Sequence, residues 1–127
     1  MSNKKIPHLA FSIQYKGLAK ELVSESEIEN PLNKQRKKYK AIWDTGATHT
    51  VITPKVLSEL SLTIVDTTTI IGVNSKTEDI QVALFNLLLP NNVSIKQTRG
   101  AVCSIGGDAD ILIGMDIIKF GDFAISN

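Results

Sequence analysis

Covalent staples are almost missing from this chain. Its 127 residues include one cysteine, Cys103, so no internal disulfide can form, and the paired spacing of a cysteine metal site is absent. The residue reads as a small buried side chain. No apolar run approaches the ~20 residues of a membrane span, and the basic start Met1-Ser2-Asn3-Lys4-Lys5-Ile6-Pro7 leads into His8, Ser12, Gln14 and Lys16 rather than the continuous apolar region of a signal peptide. A reducing cytoplasm is the expected setting. Net charge is only +1, and no internal repeat is visible. Asp108 and Asp110 sit in a glycine turn without further ligands, so neither a metal nor another cofactor is expected.

The small net charge hides an uneven distribution. Residues 1–43 carry nine Lys/Arg against four Glu, and residues 44–127 carry five against nine acids. Lys34, Arg36, Lys37, Lys38 and Lys40 supply most of the excess. No aromatic residue is interleaved from Lys34 to Lys38, as single-strand recognition would require, so nucleic acid is not an expected partner and the run reads as a solvated loop and strand start.

The remaining composition, 43% apolar and 21% charged, is that of one globular domain with a modest core, and residues 1–127 are expected to form it. Leu9 to Lys16 alternates Phe11, Ile13 and Tyr15 with Ser12, Gln14 and Lys16, a half-buried strand pattern. From Gly17 to Gln35 the pattern breaks, and either a short helix or a long hairpin excursion fits. Tyr39 to Trp43 is an apolar strand, and Thr50-Val51-Ile52 resumes extended structure. Thr53-Pro54 opens a short helix with Val56, Leu57 and Leu60 on one face. Thr67 to Val73 and Glu78 to Leu89 form a long hairpin, and Val93 to Ser104 adds one or two strands. Ile111 to Ile113, a short helix from Met115 to Lys119 and a terminal strand from Phe123 to Ser126 complete the pattern. The sum is an all-β, mostly antiparallel barrel with one or two short helices.

The most informative residues are Asp44-Thr45-Gly46-Ala47, delivered by the strand Tyr39-Lys40-Ala41-Ile42-Trp43 into a tight turn. Far downstream stands Ile111-Leu112-Ile113-Gly114. With this lead-in, the Ala after the glycine, the spacing and the chain length, the sequence resembles the retropepsin-like (retroviral-type) aspartic proteases from about Ile42 to Phe123, with residues 17–36 standing outside the pattern as an atypical insertion. The resemblance implies the closed acid-protease β-barrel and makes Asp44 the catalytic carboxylate. Thr45 would reach across a dimer axis, Gly46 would let the backbone approach the carboxylate, and Ala47 completes the loop. Gly114 would give room behind that loop, while Ile71, Gly72, Val73 and Ile113 would contact substrate. The hairpin takes the place of the family's flap, although its tip, Gly72-Val73-Asn74-Ser75-Lys76, has one glycine where retroviral flaps have several.

Peptide hydrolysis by this chemistry needs two carboxylates sharing one proton, one acting as base and its partner as acid. The chain has a single Asp-Thr-Gly, since Asp66-Thr67-Thr68 and Asp108-Ala109-Asp110 both depart from it. The second carboxylate must come from a second copy, so the resemblance implies an aspartic endopeptidase active as a homodimer on a peptide or protein. Two other readings fit parts of the sequence. A dimeric module of the same fold could bind without cleaving. A phosphoaspartyl enzyme shares a superficial likeness at Asp44 to Thr50, but needs alternating strands and helices that this pattern lacks. His49, in the turn, reads as a surface residue rather than a base.

Overall fold

The computed structural model describes residues 22–71 and 77–121, with the backbone alone at Ile70, Ile71 and Asn91. The strand expected from Leu9 to Lys16, the hairpin tip and the strand from Phe123 lie outside these residues. The first described element is a strand within the segment left open between helix and hairpin. β1 (Leu22–Glu29) pairs antiparallel with β2 (Arg36–Trp43) over its full length. Ser24, Ser26 and Ile28 point inward and are buried. The two serines are tolerated there because the Trp43 indole N–H donates to Ser24 Oγ at 2.8 Å and the hydroxyls of Ser24 and Ser26 meet at 3.3 Å. Opposite charges face one another along the ribbon: Glu25 with Lys40, Glu27 with Lys38, Glu29 with Arg36. From Leu22 onward, the segment therefore belongs to the barrel.

After β2 come β3 (Val51–Ile52), helix α1 (Pro54–Glu59), β4 (Thr63–Ile71), β5 (Thr77–Leu89), a 3-10 turn over Pro90–Asn92, β6 (Val93–Val102), β7 (Ile111–Ile113) and helix α2 (Met115–Ile118). Proline at the first turn of α1 fits because its missing N–H has no helical partner there. β4 begins four residues before the expected start, since Thr63, Ile64 and Val65 continue the β-branched run once Ser61, at φ 49°, has turned the chain away from α1.

The sheet order is β1-β2-β7-β3-β6-β5-β4, with β1 also paired to β5. Six strands thus close into a ring, and β4 hangs outside it on β5. Closure rests on a three-pair seam, Glu27 to Glu29 against Leu88 to Asn86. At that seam Asn86 sits in a register shift between Phe85 and Leu87; its amide donates to Glu29 Oε1 at 2.9 Å and its carbonyl accepts the Gln97 N–H at 3.0 Å. Arg36 Nε donates to Glu29 Oε2 at 2.7 Å. One carboxylate ties together β1, β2 and β5, and Asn86 extends the tie to β6.

Inside the ring, Ile28, Ala41, Ile52, Val56, Ala83, Phe85, Leu87, Ile111 and Ile113 are fully buried. Burying side chains of this size contributes about 1.5–3 kcal/mol each for the larger ones. Phe85 fits because Gly100 faces it, where a Cβ would stand 2.6 Å from the ring. The basic run of β2 is spent on local partners: Lys37 on Glu59, Lys38 on Glu25, Lys40 on Asp108 and Arg36 on Glu29. Lys37 and Tyr39 together hold Glu59 of α1, which depresses the Glu59 carboxyl through the Lys37 bond first, while burial and Glu59 push the Tyr39 phenol up.

Candidate active site

β2 and β3 are consecutive in the chain but not neighbours in the sheet. β7 lies between them, parallel to β2 and antiparallel to β3. The loop from Asp44 to Thr50 must therefore arch over the end of β7, and the corner where β7 enters α2 supports it from behind. Hydrogen bonds fix its two ends. The Asp44 N–H donates to Ile113 O at 2.9 Å, and the Met115 and Asp116 N–H groups donate to Ala47 O and Thr48 O at 2.8 and 3.2 Å.

Within the loop, Ala47 N–H donates to Asp44 O at 3.2 Å, a tight turn. The Gly46 N–H donates to Asp44 Oδ1 at 2.8 Å, which fixes the carboxylate against its own turn. A Cβ on Gly46 would sit 3.2 Å from that oxygen, so only glycine leaves the carboxylate this close without displacement. Asp44 is partly exposed, Thr45 and Gly46 are exposed, and Ala47 is partly buried. The aspartate opens onto a shallow cleft of about 440 Å³ lined by Leu22, Ile42, Trp43, Ile105, Gly106 and Leu112. A larger groove of about 840 Å³ runs along Glu25, Glu27, Arg36 and Lys38 to Leu88 and Pro90, where Lys38 and Arg36 are paired with Glu25 and Glu29 and nothing resembles a hydrolytic pair.

Gly114 packs against the backbone of the loop. A Cβ there would lie 2.7 Å from His49 C and O and 3.0 Å from Ala47 O, all backbone atoms. Ile113 is different. Its side chain is fully buried in the core, because β7 is flanked on both sides and its odd positions face inward. It serves the loop through its carbonyl, and Leu112 takes the cleft-facing position. The backbone of Ile71 pairs with Thr77 at the end of the hairpin, while Gly72 and Val73 lie outside the described residues. His49 is exposed. Asp108 and Asp110 are engaged with Lys40 and with Thr53 and Lys55, and the described residues contain no group of three or more metal-ligating side chains.

A carboxylate held by a glycine N–H on a turn between barrel strands, backed by an apolar-glycine corner, defines the retropepsin-like class of aspartic protease fold. The family profile described as "gag-polyprotein putative aspartyl protease" matches residues 31–119. The chain belongs to that family. Among solved structures it is similar to the simian foamy virus (mac) protease, at 19% identity and TM-score 0.55, covering 78% of this chain and 93% of that one. It is also similar to EIAV protease complexed with the inhibitor HBY-793, at 20% identity and TM-score 0.60, covering 89% and 100%. These likenesses are of fold. No curated protein matches the chain. Among the described residues no helix is long and apolar enough to cross a membrane.

Proposed function

We propose that the protein is an aspartic endopeptidase whose active form is a homodimer, with Asp44 of each copy supplying one carboxylate. The observation that carries this reading is the Asp44 Oδ1 to Gly46 N–H bond on a loop anchored to β7 and α2, in a chain with a single such motif. Two of these carboxylates brought together at a two-fold axis cannot both ionise. The pair then keeps one proton, and it titrates as a unit rather than as two independent groups. The ionised member takes a proton from water as that water attacks the peptide carbonyl, and the protonated member donates to the carbonyl oxygen. Thr45, exposed at the head of the loop, faces the partner's loop in this arrangement. Residues 1–127 act as one domain. In this reading the β4–β5 hairpin acts as the flap that excludes water, with Ile71, Gly72 and Val73 as its substrate contacts. The apolar lining at Ile42, Trp43 and Leu112 suits apolar side chains flanking the cleaved bond.

Cleavage of a peptide library between pH 4 and 7 tests the reading. Asp44→Asn should lower turnover by at least about a hundredfold, and specific activity should rise with protein concentration as the dimer forms. Equal activity of wild type and Asp44→Asn would refute it. A stable dimer in which neither protein cleaves would instead identify a binding module.

A further inference from the structure

One polar network at the loop has its key residue outside the Asp-Thr-Gly-Ala motif. Thr50, at the far end of the loop, is fully buried. Its N–H donates to Asp116 Oδ2 at 3.0 Å and its hydroxyl to Asp116 Oδ1 at 2.7 Å, while Thr50 Oγ1 accepts the Gly114 N–H at 3.2 Å. Asp116 is the acid in the first turn of α2, whose N-cap, Gly114, has no side chain to satisfy the orphan N–H groups of the helix start. The loop supplies the acceptors instead: Thr50 Oγ1 for Gly114, Ala47 O for Met115 and Thr48 O for Asp116. Asp116 returns the favour, accepting two donors from Thr50 with one carboxylate.

We propose that Asp116 is a positioning residue for Asp44, locking the returning half of the loop, Ala47 to Thr50, onto α2 so that the carboxylate is held at one orientation. The proposal rests on the protease reading above. The two ends of the loop are anchored to adjacent residues, Asp44 on Ile113 and Ala47 to Thr50 on Gly114 to Asp116. The intervening Thr45 and Gly46 are exposed, so their placement follows from those anchors. Releasing the Thr50 end removes two charge-assisted bonds and leaves a buried N–H and hydroxyl without acceptors. The loop then gains freedom at the point where the two carboxylates must meet.

Steady-state kinetics on the homodimer test this. Asp116→Ala should lower kcat by roughly ten- to a hundredfold, the scale of a misplaced reacting group, with KM within about threefold of wild type. Asp116→Asn keeps an oxygen for the Thr50 N–H and should recover most of kcat. Thr50→Val removes the hydroxyl while keeping the shape, and serves if Asp116→Ala does not fold. The double variant should lose no more than the worse single one, because the two residues form one unit. Unchanged kcat in Asp116→Ala or Thr50→Val, or strictly additive losses, would overturn the proposal. An independent arm is amide hydrogen exchange. In either variant the Thr50, Met115 and Asp116 amides should lose protection together while those of β5 keep theirs. Loss at Thr50 alone would show that no lock exists. If the wild type cleaves nothing, the protease reading fails and the exchange result still decides the lock.

Discussion

Replacing glycines by alanine at three positions should give three different results from the same added methyl group. At Gly106 a Cβ would meet nothing within 4 Å, whereas at Gly114 it would meet the His49 and Ala47 backbone at 2.7–3.0 Å. Alanine reduces the freedom of the unfolded chain at both sites alike, a stabilisation of about 0.4–1 kcal/mol. That contribution cancels when the two variants are compared. What remains at Gly114 is overpacking against backbone that cannot rotate aside, about 1–3 kcal/mol. Gly107→Ala carries a different cost, because Gly107 lies at φ 77°, where a side chain loses about 1–2 kcal/mol. Gly106→Ala should therefore be as stable as wild type or slightly more so, and Gly114→Ala should melt below it by roughly 4 °C per kcal/mol for a chain of this size. Circular dichroism melts of the three variants, with urea unfolding as a check, give the comparison. Equal midpoints for Gly114→Ala and Gly106→Ala would refute the close approach between the β7–α2 corner and the loop.

Two further outcomes concern the barrel. The Asn86 bond first, and then Arg36, hold the Glu29 carboxyl below its ordinary value against the opposing effect of burial. A carboxylate so depressed stabilises the fold above the unfolded glutamate pKa and loses that effect as pH falls through the lower folded value. The stability gap between wild type and Glu29→Gln, read as urea midpoints at pH 7, 5 and 3, should thus be widest at neutral pH and shrink in acid; a gap that grows in acid would contradict this. Asn30 is buried, donates to Leu60 O at 2.8 Å and Ser61 O at 3.1 Å, and accepts the Leu32 N–H at 2.9 Å. Asn30→Ala should cost about 1–3 kcal/mol in chemical denaturation by stranding these groups, and a change under about 0.5 kcal/mol would show that water replaces them.

Local pattern made much of the fold legible. The strand into Asp44, the Thr53-Pro54 helix start, the long hairpin and the Ile111 to Ile113 segment each announce themselves within a few residues, because period-2 alternation and turn residues act over short range. β1 did not, since Ser24 and Ser26 occupy inward positions that normally carry apolar side chains. Its usable signal was the alternation of Glu25, Glu27 and Glu29 against Arg36, Lys38 and Lys40. Ile113 stands next to the motif in sequence, but proximity says nothing of which face a residue takes, and the alternation of β7 turns it into the core. Asp116 gave no signal either. Its partner Thr50 is 66 residues away, and only the threading of β7 between β2 and β3 brings them together.

That threading sets the order in which the protein can become competent. Asp44-Thr45-Gly46 leaves the ribosome well before β7, the wedge that separates β2 from β3, carries the supporting corner and is the last of the seven described strands in chain order. Contacts this distant in sequence close late, after the entropy of a long loop has been overcome. A nascent chain that stops short of Gly114 carries the full motif without the Gly114 to Asp116 corner that supports it from behind. Assembly of the candidate site therefore waits on the pairing of β7 with β2 and β3.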